Sequence, residues 1–210
     1  MTKQRLAIIG ASALGQQLKG HAEATGLYDV VGFFDDFAVP SADVLGKTDA
    51  IDDVYLANRF DCLAIGVGYK AMAFRDAMAQ KWTRRIPLAR IVHRAAVVDT
   101  SAIVDEGVVL LANTVLDQRV ELGRNCFLSL AATISHDTIV GDSTYVSPKA
   151  TVCGNCKIGR RVFLGAGCII RDGCAICDDA VVGAGAVVVK DIVRAGVYAG
   201  NPANGLGGGF

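Results

Sequence analysis

The sequence predicts an α/β N-terminal domain, a small parallel βαβ sheet over residues 1–85, followed by an all-β parallel β-helix of hexapeptide repeats over 86–204 and a glycine-rich tail at 205–210. Three observations predict this. An aliphatic residue recurs every six positions from Val92 to Val188. Ahead of that repeat, short apolar runs alternate with amphipathic stretches. The composition sets 24 Gly and 7 Cys against only 8 Phe, 5 Tyr and 1 Trp in 210 residues, which suits thin, regular layers with little room for rings.

In the first unit, Leu6-Ala7-Ile8-Ile9 reads as a buried strand and Gly10 to Gly15 as a turn. Leu14, Leu18, His21 and Ala22 then recur at helical spacing, predicting a helix over about 13–25. Val30 to Phe34 forms a second strand ending at Asp35-Asp36, and Cys62 to Ile65 a third ending at Gly66-Val67-Gly68. A helix over about 70–81 carries Met72, Arg75, Ala79 and Lys81. Strand, turn, helix, strand at this pitch gives right-handed βαβ units and a parallel sheet.

The second unit is more sharply defined. Stepping by six from Val92 gives 17 aliphatic residues without an insertion. Four positions after each sits a small or β-branched residue, among them Ala96, Thr114, Cys126, Thr138, Ala150 and Ala186. Strict hexads of this kind build a parallel β-helix whose triangular coil takes three hexads, one per side. Aliphatics fill the axis, and glycines after the aliphatic, as at Gly123, Gly141 and Gly159, are expected to let the corners turn. The N-terminal domain is expected to cover the first end of the coil and residues 194–204 the last.

Several classes are excluded or disfavoured. Charge is balanced at 21 Lys+Arg and 21 Asp+Glu with no long basic run, against phosphate-neutralising nucleic-acid binding. No run reaches the ~20 apolar residues of a membrane span, so no membrane insertion is expected. The spacing Cys153-x-x-Cys156 and Cys174-x-x-Cys177 taken alone suits a zinc ribbon. The repeat changes that reading. Cys126, Cys156, Cys168 and Cys174 take the small slot, and Cys153 and Cys177 follow axial aliphatics, so cysteine serves as a small apolar filler and no metal is expected. Seven cysteines without an export signal read as reduced thiols in the cytoplasm.

The chemistry centres on one of three histidines, His21, His93 and His136. His136 stands two residues after the axial Ile134 and should point outward, with Asp137 beside it to orient the ring. An imidazole is the side chain suited to accept a proton near neutrality, which makes His136 a candidate general base. Gly154 lies three hexads on, one full coil, and should stack against His136 with its amide open to a developing oxyanion. Ala166 and Ala184 are likewise one coil apart and small. Gly10 and Ser12 sit at a strand–helix junction whose amides can meet a phosphate, although Ser12 stands where the dinucleotide fingerprint has glycine. Asp35 and Asp36 end a strand where a base or ribose would be read, and Gly66 allows close approach of a ligand.

Taken together, Ile8 to Gly15, Val31-Gly32-Phe33-Phe34-Asp35-Asp36, Ala64 to Gly68, Ser135-His136-Asp137, the hexad array and Tyr198-Ala199-Gly200-Asn201-Pro202-Ala203 resemble the sugar O-/N-acyltransferases of the left-handed β-helix superfamily. The type is that of bacterial nucleotide-amino-sugar N-acetyltransferases and their sialic-acid O-acetyltransferase relatives. The resemblance implies a left-handed coil, a homotrimer with active sites between subunits, acetyl-CoA as cosubstrate and a nucleotide-activated amino sugar as acceptor. It assigns His136 as general base with Asp137 as its partner, and an acetyl-binding amide to Gly154. It assigns the turn at Gly10 and Ser12 and the acids Asp35 and Asp36 to the nucleotide sugar, with Gly66 expected at the same site from its strand end, and Tyr145, Gly154, Ala166 and Ala184 to CoA. The chain departs from the family pattern at Leu14 and Tyr145, where relatives carry His, and at Ser129, where they carry Asn.

The rival readings are weaker. O-acetylation of a sugar hydroxyl, such as that of a sialic acid, fits the same constellation. A β-helical carbonic anhydrase needs three converging histidines, and only His93 and His136 lie in the repeat, not a whole number of coils apart. A non-catalytic scaffold or ice-binding surface would show a ladder of like outward residues. Ser12 and the small first unit disfavour an oxidoreductase.

Overall fold

The computed structural model describes residues 2–206. The first unit contains β1 (Gln4–Ile9), α1 (Ala13–Ala24), β2 (Tyr28–Phe34), β3 (Val44–Gly46), α2 (Ile51–Leu56), β4 (Cys62–Ile65) and α3 (Met72–Trp82). Its four strands lie parallel in the order β3-β2-β1-β4. The expected strands and helices are all present. The short edge strand β3 and the six-residue α2 were not anticipated, because neither is long enough to show a period.

Alternation along β1 divides the core. Leu6 and Ile8 face one side with Leu18 and Ala22 of α1. Ala7 and Ile9 face the other with Ile51, Ala79 and Trp82 of α2 and α3. Past α3 the chain returns to the sheet: Leu63 accepts from the Ala89 N–H and donates its own to Pro87 O before the chain enters the coil at Ile91.

From Ile91 to Val188 the chain makes 17 two-residue strands, one per hexad. Strands three hexads apart pair along the coil, which stacks them into three parallel sheets. Phe127 pairs with Tyr145, Thr133 with Thr151 and Ile139 with Lys157, one register throughout. The axial aliphatics and the small slot form one buried core running from Val108 to Ile192. The slot does more than save space. Cys126 Sγ, Thr138 Oγ1, Thr144 Oγ1 and Cys156 Sγ each bond the carbonyl 15 residues ahead, at 3.2, 3.1, 2.9 and 3.2 Å. A small residue with one donor satisfies a corner carbonyl that would otherwise be buried unpaired.

The corners correct one expectation. The residue that turns left-handed is the third after the aliphatic, at every sixth position from Gly107 to Gly185, and it is more often Asn, Asp, Arg or Ser than Gly. The glycines directly after the aliphatic do not hold positive φ. They are there for room: a Cβ on Gly141 would stand 2.7 Å from the Gly159 carbonyl carbon of the next coil, and one on Gly165 2.6 Å from the Ala184 nitrogen.

A second expectation also changes. The N-terminal domain lies along the flank of the coil and leaves the end uncapped. Leu6, Ile8 and Phe33 pack with Ile91, Val109, Leu111 and Phe127, the apolar outward column of one sheet. The axial residues Val98 and Val104 of the first coil stay partly exposed. At the other end, Val197–Ala199 pairs with Val181–Val182 and folds back on Asn204–Leu206, bringing Tyr198 and Ala203 onto the axial core. Of the predicted tail at 205–210, residues 207–210 lie outside the described residues.

Helix α3 bolts the two units together. The Arg75 guanidinium is fully buried and donates to Ile65 O and Val67 O on the sheet side, at 3.1 and 2.6 Å, and to Asn125 O at 3.1 Å in the coil. Next to it, the buried Asp76 carboxylate accepts from Ser143, Arg160 and Arg161 of the coil at 3.0 to 3.2 Å.

Candidate active site and nucleotide pocket

The coil carries His136 to a corner between two sheets, with its side chain about half exposed. Its Nδ1 lies 2.9 Å from Asp137 Oδ2. Asp137 is also gripped by Arg119, whose Nε and Nη2 donate to Oδ1 and Oδ2 at 2.6 and 2.8 Å. These bonds, Arg119 first and His136 second, hold the Asp137 carboxyl far below its usual range. An ionised carboxylate accepts the proton of Nδ1–H, so the free tautomer leaves the Nε2 lone pair for a substrate. Arg119 was missed in the sequence, yet it stands one coil before Asp137, the same spacing that placed Gly154.

Gly154 stacks on His136 as the period predicts. A Cβ there would lie 2.7 Å from both Cε1 and Nε2 of the imidazole and 3.0 Å from Asp172 Oδ1. Its φ is not positive, so what a side chain there would meet is the imidazole and the Asp172 carboxylate and not backbone strain. The Asn155 N–H bonds His136 O at 2.9 Å and fixes the stack. The Gly154 N–H makes no backbone hydrogen bond among the described residues.

Ala166 and Ala184 are exposed and also stacked, the Gly185 N–H bonding Ala166 O at 2.8 Å. They stand at the corner after Phe163–Leu164, whereas His136 and Gly154 stand at the corner after Thr133–Ile134 and Thr151–Val152. One chain therefore carries the two columns on different edges of one face and does not bring them together. Tyr145 lies in the seam between the two units. Its ring stacks on Phe127 at 4.7 Å, with the Arg75 guanidinium 6.0 Å from its centroid. Burial pushes the Tyr145 phenol up.

In the N-terminal domain a cavity of about 240 Å³ opens at the ends of β1, β2 and β4, lined by Gly10, Ser12, Asp35 and Asp36 with Phe37, Thr48 and Phe74. Four of the five residues expected to meet a nucleotide sugar line it. The fifth, Gly66, packs beneath, where a Cβ would strike the Gly15 Cα at 2.7 Å and Ile8 at 2.8 Å. The amides of Gly10 and Ala11 are already used, on Phe34 O and Asp35 Oδ2, both at 2.8 Å. The donors left for a phosphate are those of the first turn of α1, where the Ser12 side chain makes no capping bond. Asp35 also holds the next loop through the Phe37 and Ala38 N–H groups. Burial raises its carboxyl, but the three backbone donors together bring it below its usual value. Asp36 is joined to Thr48 through both the backbone N–H and the hydroxyl. The two acids are braces of the pocket as well as its polar lining.

Four of the buried cysteines read as inert. Burial pushes the thiols of Cys62, Cys126 and Cys168 up to about 12 and that of Cys156 to about 11, away from the thiolate a nucleophile needs. No helix among the described residues is long and apolar enough to cross a membrane.

Residues 137–172 and 155–190 match the bacterial transferase hexapeptide (six repeats) family. No curated protein sequence matches the chain significantly. Solved structures do. The acetyltransferase domain of PglB from Neisseria gonorrhoeae is 30% identical, with a TM-score of 0.89 over 97% of this chain and 100% of that one. The same domain in complex with acetyl coenzyme A gives 30% identity and a TM-score of 0.88, over 98% and 100% of the two chains. PerB from Caulobacter crescentus, in complex with CoA and GDP-perosamine, is 27% identical, with a TM-score of 0.85 over 96% and 97%. With a like fold over both units and the hexapeptide repeat running through the second, the chain belongs to the left-handed β-helix, hexapeptide-repeat family of sugar acetyltransferases.

Proposed function

We propose that this protein transfers the acetyl group of acetyl-CoA to the amino group of a nucleotide-linked deoxyamino sugar. The observation that carries the mechanism is the fixed His136, with Nδ1 tied to Asp137, itself held by Arg119, and Nε2 beside the open face of Gly154. The neutral amine attacks the thioester carbonyl while His136 Nε2 takes its proton. Negative charge gathers on the carbonyl oxygen beside the Gly154 N–H, the C–S bond breaks, and the departing thiolate takes the proton back from His136. Asp137 keeps the ring in the productive tautomer. Holding both substrates in one cleft supplies much of the remaining acceleration.

The acceptor's nucleotide would occupy the cavity at Ser12, Asp35 and Asp36, with its phosphates toward α1. CoA would run along Ala166 and Ala184, with Tyr145 and the Gly154 amide nearby. Those columns meet only if a second copy brings its edge to the first, which supports a trimer with the site between subunits. The flank between the two corners carries Val97, Val115, Thr133, Thr151, Ile169 and Val187, none of them charged, and suits such an interface. Unpaired cysteines throughout agree with a cytoplasmic setting, where acetyl-CoA is made.

The test is release of CoA thiol from acetyl-CoA with a panel of UDP-, dTDP- and GDP-linked deoxyamino sugars. At least one amino sugar should react, and His136→Ala should lower kcat by about a hundredfold or more. Release by the variant at the wild-type rate would defeat the mechanism. Reaction with hydroxyl acceptors alone would make the protein an O-acetyltransferase.

A further inference from the structure

Several corner carboxylates in this coil are held by a residue one coil before. Asp137, Asp142 and Asp179 each pair with an arginine one coil before, namely Arg119, Arg124 and Arg161. Asp178 accepts the Arg160 N–H one coil below at 2.9 Å. Asp172 has no such partner. One coil below it stands Gly154, and below that His136. Asp172 is exposed and joins no ion pair among the described residues.

The missing side chain of Gly154 leaves a space with a defined chemistry. The point where its Cβ would stand is 2.7 Å from Nε2 of His136 and 3.0 Å from Oδ1 of Asp172. The base nitrogen and the carboxylate oxygen therefore flank one gap. A substrate group that approaches the open face of Gly154 has the two side chains beside it. Both are acceptors when His136 is neutral and Asp172 ionised. The group that satisfies two acceptors at once, one of them charged, is a nitrogen with at least two N–H bonds. A hydroxyl has a single hydrogen and leaves one acceptor unpaired.

We propose that Asp172 is the residue that selects an amine acceptor, by binding its ammonium form and orienting it toward His136. The inference rests on the acetyl-transfer reading above and deepens it. The ammonium donates one N–H to Asp172 and one to Nε2. His136 takes one proton and passes it to water. The resulting amine keeps its bond to Asp172 and attacks the thioester. The C–N bond forms and the C–S bond breaks. The second proton leaves nitrogen through His136 to the thiolate. Of the two protons shed by the ammonium, one ends on CoA and one in water, and Asp172 remains a carboxylate throughout.

The experiment compares wild type with Asp172→Asn and Asp172→Glu. It uses the amino sugar that reacts in the thiol-release panel and its counterpart bearing hydroxyl in place of the amine. For Asp172→Asn, KM for the amine at pH 7 should rise about tenfold, the scale of one charged hydrogen bond. KM for acetyl-CoA should not move, and any turnover of the hydroxyl counterpart should hold or increase. The rise should shrink as pH is taken above the amine's own pKa, where the ammonium disappears. Asp172→Glu should recover part of the loss. An unchanged amine KM in Asp172→Asn overturns the proposal, as does an equal loss for both acceptors or a loss read in KM for acetyl-CoA. Each of those outcomes leaves the acetyltransferase reading standing. A panel in which no amine reacts overturns both.

Discussion

In the coil, Phe127 meets Tyr145, Arg119 meets Asp137 and His136 meets Gly154, each one turn of three hexads apart. In the N-terminal domain, Arg5 meets Asp61, 56 residues away, and Ile8 lies between Phe33 and Ala64. One unit sets its neighbourhoods by a constant and the other by the particular path of its loops. Environments in the coil are therefore repeated and interchangeable, while those of the sheet are each used once. A repeat gives a stiff frame on which His136, Gly154 and Asp172 can be stacked in a row. The sheet domain gives a cavity at the ends of three strands.

The sharpest way to break this contrast is a change of register. One residue inserted between Pro148 and Lys149 would move every later aliphatic off the axis, and the protein should be lost from the soluble fraction. One residue inserted between Pro40 and Ser41 should leave the melting temperature within a few degrees, since that stretch is exposed and lies between β2 and β3.

Cutting the bolt between the units comes next. Asp76→Ala leaves Arg160 and Arg161 facing a seam without their carboxylate and should cost about 2–3 kcal/mol. Trp82, the only tryptophan, is buried in the sheet domain, so its fluorescence reads that unit alone. In urea the Trp82 transition should shift to lower denaturant while the far-UV signal of the coil lags behind. Coincident transitions in the variant would show that the two units still unfold as one.

Arg119→Met removes both hydrogen bonds to Asp137 and should act through that carboxylate to lower kcat about tenfold, with KM for both substrates held. The pH behaviour has a definite sign. Because the folded Asp137 carboxyl is held below its ordinary value, the charge that fixes His136 persists as pH falls and is lost only in strong acid. Without Arg119 that carboxyl should titrate closer to the ordinary 3.8, which a carbon-detected NMR titration reads directly.

The smallest effect tests interchangeability inside the coil. Cys126→Thr keeps a small side chain and a donor toward Gly141 O, as Thr138 and Thr144 do at the same slot, and should change stability by no more than about 1 kcal/mol. Cys126→Leu should overpack the slot and cost about 1–3 kcal/mol in the same denaturation assay.

Legibility follows the same division. The coil, its axial core, the outward His136 and the stacked Gly154 could all be read from the spacing of six. Arg119 and Asp172 were equally readable, being one coil from Asp137 and Gly154, and were missed for want of applying the period to charged residues. The true corner residues were obscured because Asn, Asp and Arg at left-handed φ carry no signal as plain as glycine's. In the sheet domain Gly10, Ser12, Asp35 and Asp36 were expected at a ligand site and line the cavity, but the bracing duties of the two acids were not foreseen. The bracing of Ala11, Phe37 and Ala38 by Asp35 depends on where three loops converge.

The sequence alone determined the number of coils, the identity of the core and the vertical order of the site, because a fixed hexad converts distance along the chain into distance along an axis. Only the tertiary structure decided that the sheet domain lies on the flank of the coil, that Arg75 and Asp76 lock it there, and that Asp172 is left facing the gap over Gly154. Those contacts join residues at separations no period prescribes, or depend on a side chain that is absent, and three-dimensional packing is what settles both.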